Sequence, residues 1–445
     1  MTSTDSFISD GVLLKKIDLT PYGSDQPYNI IGMVMQFHIF EDIEKQYISG
    51  SVVIEDALDL IKNLPINGRE KIHLKFKTPN IQDMDYIEQT FQVYKISDIE
   101  RSPNQTTMTY KLHFITEDTF RNKKLRIQKS YSGKISNTVQ RIFEDCNFSK
   151  PIEIDPTSNS YKFVSPNWTP YRLIKWLSNR SLSDNEYPES NFLFYQTLDS
   201  YHFKCVSNLL DQEPLYTYTY LKNMNINTEN ISDTHPSEID RLLNIISIDI
   251  ASGIDSLTLM TDGAFSSTLY EHDITKKTFT ESRYNYIDDF TQRRSTEDYS
   301  LIDYQDDLNF THKSIIDYRP TQSRMFDNIE DNNKYQQWVL KRRGHLSQLF
   351  AQKLEVIIPG NSDLRVGQVI EVKIPSFAYI DKDTDVSYDA YTKGKYMISS
   401  IHHMVTSERY RCKLVLVRDG RTSEIPNIVN NETTSTNDFD FFDRA

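Results

Sequence analysis

The sequence is poor in the residues that build most nucleotide-binding and catalytic loops. Only 13 glycines occur in 445 residues, which argues against phosphate-cradling Gly-rich loops and against collagen-like or low-complexity architecture. Three cysteines, Cys146, Cys205 and Cys412, stand far apart, are odd in number and fit no metal-ligand spacing. They read as reduced, buried thiols of a chain made and kept in a cytosol. No run of ~18 apolar residues offers a membrane span, and the opening MTSTDSFISDG lacks the basic region and apolar core of a secretory signal. Positive charge is in deficit, with 50 Lys plus Arg against 63 Asp plus Glu and a net charge of -13. Such a surface repels nucleic acid over most of its extent, which argues against sequence-reading of DNA. HExxH, GxSxG, Walker and CxxC spacings are all missing, and no Cys/His nucleophile pair is suggested by local context.

What is present points to a folded, strand-rich, multidomain protein. The 38% hydrophobic and 25% charged fractions are ordinary for a folded chain, while 27 Tyr and 23 Phe favour strands and large contact surfaces over disorder. At 445 residues the chain exceeds what one core fills, so several packed units are expected.

From residue 30 to 116 the hydrophobic period is two, which predicts an antiparallel barrel or sandwich. Ile31, Met33, Met35, Phe37 and Ile39 are assigned to one face; Ile72, Leu74 and Phe76 alternate with lysines and His73; Tyr110, Leu112 and Phe114 alternate with Lys111 and His113. Asp56 to Asn63 reads as a short helix-like insert ended at Leu64-Pro65, because a residue before proline avoids the helical region.

Near residue 132 the period lengthens. Ser132 is a candidate cap for a helix carrying Ile135, Val139, Ile142 and Phe143, and Thr169-Pro170 opens a second helix with Leu173, Ile174 and Leu177 on its buried stripe. Phe192 to Val206 returns to strand. Residues 222 to 240 and 281 to 333 have no clear period and read as loops and irregular insertions. Between them, Leu243 to Ile250 and Leu257 to Met260 look strand-like, closed by an Asp262-Gly263 turn. A helix over 333 to 350 places Tyr335, Trp338, Val339, Leu346, Leu349 and Phe350 on one side and Lys341, Arg343 and Gln348 on the other. LEVIIPG, GQVIEVKIP, GKYMISSIHHMV and YRCKLVLVRD then predict a second barrel-like half.

Several clusters invite a chemical reading. His402 and His403 are adjacent in a strand and so face opposite ways, which prevents both from chelating one ion. Asp381, Asp383 and Asp385 mimic the start of a calcium loop, but Val386 and Thr392 stand where the sharp-turn Gly and the bidentate Glu belong; a solvated hairpin loop is the better reading. Glu41 and Asp42 are scattered carboxylates of the kind a glycosidase needs, yet among 63 acids such pairs arise by chance. No catalytic, cofactor-binding or metal-ligating residue is assigned, and no cofactor is expected.

Four blocks together resemble the baseplate hub family of contractile-tailed (myovirus) phages, related to the type VI spike and late control proteins. They are FEDIEKQYISGSVVIEDALDLIKNLPINGREKIHLKFKTP at 40 to 79; 163 to 206, with its Thr-Pro helix start and the strands FLFYQ and YHFKC; MTDGAFSSTLYEHDITKKTFTESRYNYIDDF at 260 to 290; and 354 to 420, where Pro359-Gly360 and Val366-Gly367 set strand reversals. The resemblance implies an α+β, mainly β chain with two tail-tube-like antiparallel β-barrel domains. The division expected is a first barrel over 1-118, an inserted α+β domain over 119-210, a second barrel from 211-260 and 333-422, an irregular insertion over 261-332, and a flexible C-terminal tail over 423-445.

The resemblance also implies a non-enzymatic virion protein, assembled in the host cytoplasm. A homotrimer with two similar barrels per chain would offer six faces to a hexameric tail tube at one end and seat the trimeric spike at the other. The implied partners are the cell-puncturing spike, tube or tube-initiator proteins, the tape measure protein and baseplate wedge components, with DNA passing through the lumen unread. The rival reading is a β-rich enzyme or carbohydrate-binding protein with an unidentified site; a spike is disfavoured because no short triple-β-helix repeat is visible. Two segments carry candidate contacts. Arg121, Lys123, Lys124, Arg126 and Lys129 would meet an acidic partner or line the channel, against a plain reading as a solvated linker face. Phe439, Phe441 and Phe442, set among aspartates, would dock on a partner such as the spike, against a plain reading as a frayed terminus.

Overall fold

The computed structural model describes residues 11–64, 66–79, 85–103, 106–220, 241–301, 315–321, 335–375, 388–389 and 392–422. The first stretch holds β1 (Leu13–Thr20), β2 (Tyr28–Asn29), β3 (Val34–Asp42), β4 (Ser49–Asp56), α1 (Leu60–Asn63), β5 (Lys71–Lys77), β6 (Ile87–Arg101) and β7 (Met108–Thr116). Alternation dictates which residues face inward: Ile72, Leu74, Phe76, Tyr110, Leu112 and Phe114 are all fully buried. The assigned β3 face begins later than expected. Ile31–Met33 is a 3-10 turn, and Met35 is 50% exposed, so the inward stripe starts at Phe37.

The middle unit contains α2 (Glu117–Lys124), β8 (Ser130–Lys134), α3 (Ile135–Cys146), β9 (Ile152–Ile154), β10 (Ser160–Val164), α4 (Pro170–Ser178), β11 (Phe192–Gln196), β12 (Tyr201–Cys205) and α5 (Val206–Leu210). Its own core joins Ile135, Val139, Ile142 and Phe143 to Leu173, Ile174, Leu177 and the rings of Phe192, Phe194, Tyr201 and Phe203. Ser132 does not cap α3: it pairs with Lys162 in the β8–β10 ladder, and Lys134 occupies the N-cap position. The apolar stripe was legible, but the strand running straight into the helix was not.

After β13 (Thr217–Thr219) and β14 (Ser247–Ser252) the chain leaves the main sheet for α6 (Ser256–Thr261), β15 (Ser266–Asp273), β16 (Thr278–Asn285), α7 (Tyr286–Phe290), β17 (Tyr299–Ser300), β18 (Ile316–Thr321) and α8 (Tyr335–Leu349). Leu257 to Met260 is thus helical rather than extended, because the Asp255 carboxylate accepts from the Leu257 and Thr258 amides and caps the turn. Helix α8 packs on the β15–β16 sheet through Val339 and Leu340, against Leu269 and Tyr284. On its supposed polar side Lys341 and Arg343 are half-buried, and Gln348 is fully buried.

The chain then returns as β19 (Lys353–Pro359), β20 (Val369–Lys373), β21 (Gly394–Thr406), β22 (Tyr410–Val417) and β23 (Gly420–Arg421). The protein is mainly β, but two separate closed barrels are not what the described residues form. One 13-stranded sheet runs β14-β19-β22-β21-β3-β4-β7-β6-β5-β1-β2, with β20 on β21 and β13 on β20. A strand from the first stretch and a strand from the last join edge to edge, so the two β regions share a sheet and one continuous apolar core.

Within that sheet the two regions repeat one design. Taken in space, the first set runs β3-β4-β7-β6-β5-β1 and the second β14-β19-β22-β21-β20-β13. In chain order these are the same positions of each set. The long strands even shift register at the same place: between Val93 and Lys95, opposite Phe114 and His113, and between Ile398 and Ser400, opposite Leu416 and Val415. The sets differ at their ends, where β1 meets β5 antiparallel and β13 meets β20 parallel.

Candidate assembly interface

The junction between the sets carries polar side chains on both of its faces. Residues Ser400 to Thr406 of β21 pair antiparallel with Asp42 to Gln36 of β3. The inward face is closed by Phe37, Ile39, Ile401 and Val405, all buried. Phe37 meets Phe76 edge-on at 5.1 Å, and Phe76 meets Tyr410 at 5.4 Å, so a chain of rings crosses from one set to the other. Thr78 of the first set donates to the Gly360 carbonyl of the second at 2.7 Å and accepts from the Ser362 amide at 3.1 Å.

His402 and His403 point to opposite faces of this seam. On the outer face His402 stacks on Phe40, with centroids 4.2 Å apart, and its Nε2 lies 3.0 Å from His38 Nδ1. Burial and then the neighbouring His38 carry the His402 pKa down to about 4, and burial with Lys111 also lowers His38. Both rings are therefore neutral at pH 7, one donating to the other. On the inner face His403 sits between Tyr410 Oη, 2.8 Å from Nδ1, and Glu41 Oε1, 3.4 Å from Nε2. Burial alone lowers the His403 pKa, but the Cys412 sulfur and the Glu41 carboxylate outweigh it and raise it to about 9. Charged His403 donates at both ring nitrogens, and the Tyr410 hydroxyl in turn donates to the Asn361 carbonyl at 3.3 Å.

The middle unit is tied to the first set by Lys150, which donates to Gln89 Oε1 at 2.7 Å and to the Leu198 carbonyl. Burial lowers its pKa to about 8. A second buried charge cluster fastens the insertion to the second set. Arg293 and His345 lie 3.3 and 3.4 Å from Asp419 Oδ2, and the Thr296 amide donates to the other oxygen at 3.0 Å. Burial opposes ionisation, but Arg293 and then His345 hold the Asp419 carboxyl at about 2.

A cavity of about 470 Å³ lies between the β9-β12-β11 sheet and the loop after β19. Its carboxylates are ion-paired: Glu153 and Asp155 share Lys204 at 3.3 and 3.4 Å, and Asp199 meets Arg365 at 2.5 Å. Glu189, whose buried carboxyl is pushed up to about 7 by burial, is not among the lining residues. The pocket therefore presents no free pair of carboxylates for general acid and base work, and it reads as a polar joint between units.

The candidate basic contacts end up on the surface. Arg121, Lys123 and Lys124 form the last turn of α2, where positive charge complements the helix dipole. Arg126 is exposed and donates to the Lys123 and Leu125 carbonyls at 2.9 and 2.8 Å, and Lys129 pairs with Asp145 at 2.7 Å. Phe439, Phe441 and Phe442, like Asp381, Asp383 and Asp385, lie outside the described residues. Among the described residues no group of three or more His, Cys, Asp or Glu is arranged to hold a metal, and no helix is long and apolar enough to cross a membrane. What sequence reasoning missed is Glu41 as the partner of His403; no local signal links positions so far apart.

No family model and no curated protein matches the sequence. Solved structures do. A tail protein from Neisseria meningitidis MC58 aligns over 92% of this chain and 98% of its own, at 11% identity and a TM-score of 0.51. The 43 kDa tail protein of prophage MuSo2 from Shewanella oneidensis aligns over 91% and 98% at 11% identity, TM-score 0.49. A type VI secretion component of E. coli aligns over 92% and 80% at 9% identity, TM-score 0.43. The chain thus shares the fold of the Neisseria tail protein over nearly its whole length.

Proposed function

We propose that this chain is a structural subunit of a phage tail baseplate, the hub that joins tube to spike. A fold hosts many functions, so the likeness to tail proteins does not carry this reading by itself. The observation that carries it is the repeated strand order. A chain holding two copies of one sheet design fills two places in a ring, and three such chains present six similar faces while retaining threefold symmetry for a spike. The lumen of that ring passes DNA without reading it, consistent with the net charge of -13. Spike, tube or tube-initiator, tape measure and wedge proteins are the partners this role requires. The division into two barrel-like domains, a middle α+β domain, an insertion and a tail belongs to the same proposal, as does a contact role for Arg121 to Lys129 and for the terminal phenylalanines.

The enzyme reading gains nothing from the ion-paired cavity. Native mass measurement of the purified chain, alone and with its spike and tube proteins, tests the hub role. A threefold species that takes up a trimeric spike is expected. A chain that stays monomeric with every tail component present overturns it.

A further inference from the structure

The insertion carries a three-stranded sheet, β16-β15-β18, with one face on α8 and the other toward solvent. Register settles which residues lie on each face. On β15, Leu269 turns to α8 and its neighbour Tyr270 turns away. Tyr270 stands between Glu281 of β16 and Tyr318 of β18, and His272 between Phe279 and Pro320. Ile316 is on the same outward side, opposite Thr268. The outward rings gather into one patch: Tyr270 and Phe279 stack with centroids 5.2 Å apart, and His272 Nδ1 lies 3.1 Å from the Tyr318 hydroxyl. Phe279 is 62% exposed, Ile316 56% and Tyr318 54%. Single exposed apolar residues are ordinary, but a contiguous cluster on one sheet face marks a contact surface.

The place where the described chain stops points to the occupant. β23 closes on β17 of the insertion, pairing Arg421 with Tyr299, and the Arg421 side chain donates to the Ser300 carbonyl at 2.8 Å. Ser300 in turn donates to the Tyr286 hydroxyl, and Tyr286 belongs to the core under the small sheet. Residues 423–445 therefore leave from the insertion itself. The 17 residues 423–439 reach up to about 56 Å when extended, whereas the eight-residue β15 is about 27 Å long. Charge and spacing also match. Lys276 and Lys277 in the turn after β15, and Arg283 on β16, stand around the face against Glu281; the terminal segment carries Glu424, Glu432, Asp438, Asp440 and Asp443 against Arg444. Phe439 and Phe441 are two residues apart, the spacing that turns both rings to one side of an extended segment. A shared chain strengthens a weak contact: such a tether gives an effective concentration on the order of 1 mM, so an affinity of about 100 μM keeps the face mostly covered.

We infer that residues 438–443 of this chain fold back and lay Phe439 and Phe441 on the Tyr270, Phe279, Ile316 and Tyr318 face of the chain's own insertion, with the aspartates toward Lys276, Lys277 and Arg283. The face is thus a site for an acidic, aromatic peptide, and the same chain supplies that peptide. This docking narrows the contact role proposed above for the terminal phenylalanines and rests on that part of the proposal alone. It holds for the isolated chain whether or not the chain is a hub.

The test compares the full chain with one ending at residue 430 by hydrogen–deuterium exchange. Fragments covering β15, β16 and β18 are expected to exchange about threefold faster or more in the shortened chain, and the full chain with Phe439→Ser and Phe441→Ser is expected to behave like it. A synthetic peptide of residues 431–445 added to the shortened chain should restore the protection and bind with a Kd on the order of 100 μM. Phe441→Ser in the peptide, or Tyr318→Ser in the chain, should weaken that binding about fivefold or more, and salt at about 0.5 M should weaken it about threefold. Equal exchange in the full and shortened chains overturns the docking. So does protection that rises with chain concentration, which assigns the face to a second copy, or protection that arises only when a spike or other tail protein is added. Native mass measurement of the same samples reads the hub role separately: a threefold species whose face exchanges alike with and without residues 431–445 sinks the docking and leaves that role standing.

Discussion

The two strand sets share an order but differ in what that order encloses. In the first, the connection from β3 to β4 is a short turn; in the second, the equivalent step from β14 to β19 carries the whole insertion with α6, α7 and α8. At matching ladder positions the first set has Gly50 and the second Leu354. The repeat is thus kept in strand order, while side-chain volume is redistributed locally. A sheet tolerates this because backbone pairing sets its topology and each face fills its own space.

The seam offers the most severe way to break the comparison. His403→Leu leaves Glu41 buried without its partner and should cost about 3–5 kcal/mol in urea unfolding, and the double change with Glu41→Leu should recover much of that loss. If the single variant is neutral, the two sets are not held together by this pair.

Next in size is the volume swap. A Cβ at Gly50 would come within 2.3 Å of the His38 carbonyl oxygen and 2.4 Å of the Phe114 ring. Gly50→Ala should therefore cost about 1–3 kcal/mol, although the matching position of the other set holds a leucine. Thermal unfolding checks it; an unchanged midpoint would mean that the first set can expand as the second has.

The pH dependence of the melting temperature sharpens the contrast between the two faces of the seam. His403 has a folded pKa raised to about 9, so its contribution is complete below about 6.5 and is lost as pH rises through 9. His402 has a folded pKa lowered to about 4, so its contribution is complete above about 6.5 and is lost as pH falls toward 4. Stability should peak near neutrality, and His402→Gln should flatten the acid side while leaving the alkaline side unchanged.

The smallest effect belongs to the joint between the middle unit and the second set. Asp199 is largely exposed, so Asp199→Asn should lower stability by less than about 1 kcal/mol, and less still at high salt.

Much of the first region was legible because half-buried strands alternate. Ile72, Leu74 and Phe76, and Tyr110, Leu112 and Phe114, occupy the faces their spacing assigns. The opposite facing of His402 and His403 follows from the same period. Errors fell where two local signals competed. Leu257 and Leu259 alternate like a strand, yet Asp255 placed before them is a helix cap, and the cap prevails because it satisfies two amides at once. Ser132 looked like a cap but lies in a strand that runs directly into α3.

The sequence by itself determined which segments extend, which coil, and which side chains turn inward, since each of these depends on residues a few places apart. Only the tertiary structure decided that β3 lies against β21 and that, among the described residues, β14 and the end of β6 have no further strand beside them. Strands meet edge to edge through amides and carbonyls that are the same for every residue but proline, so nothing in the local alphabet names the partner. That choice is made when the whole core closes around Phe37, Phe76 and Tyr410.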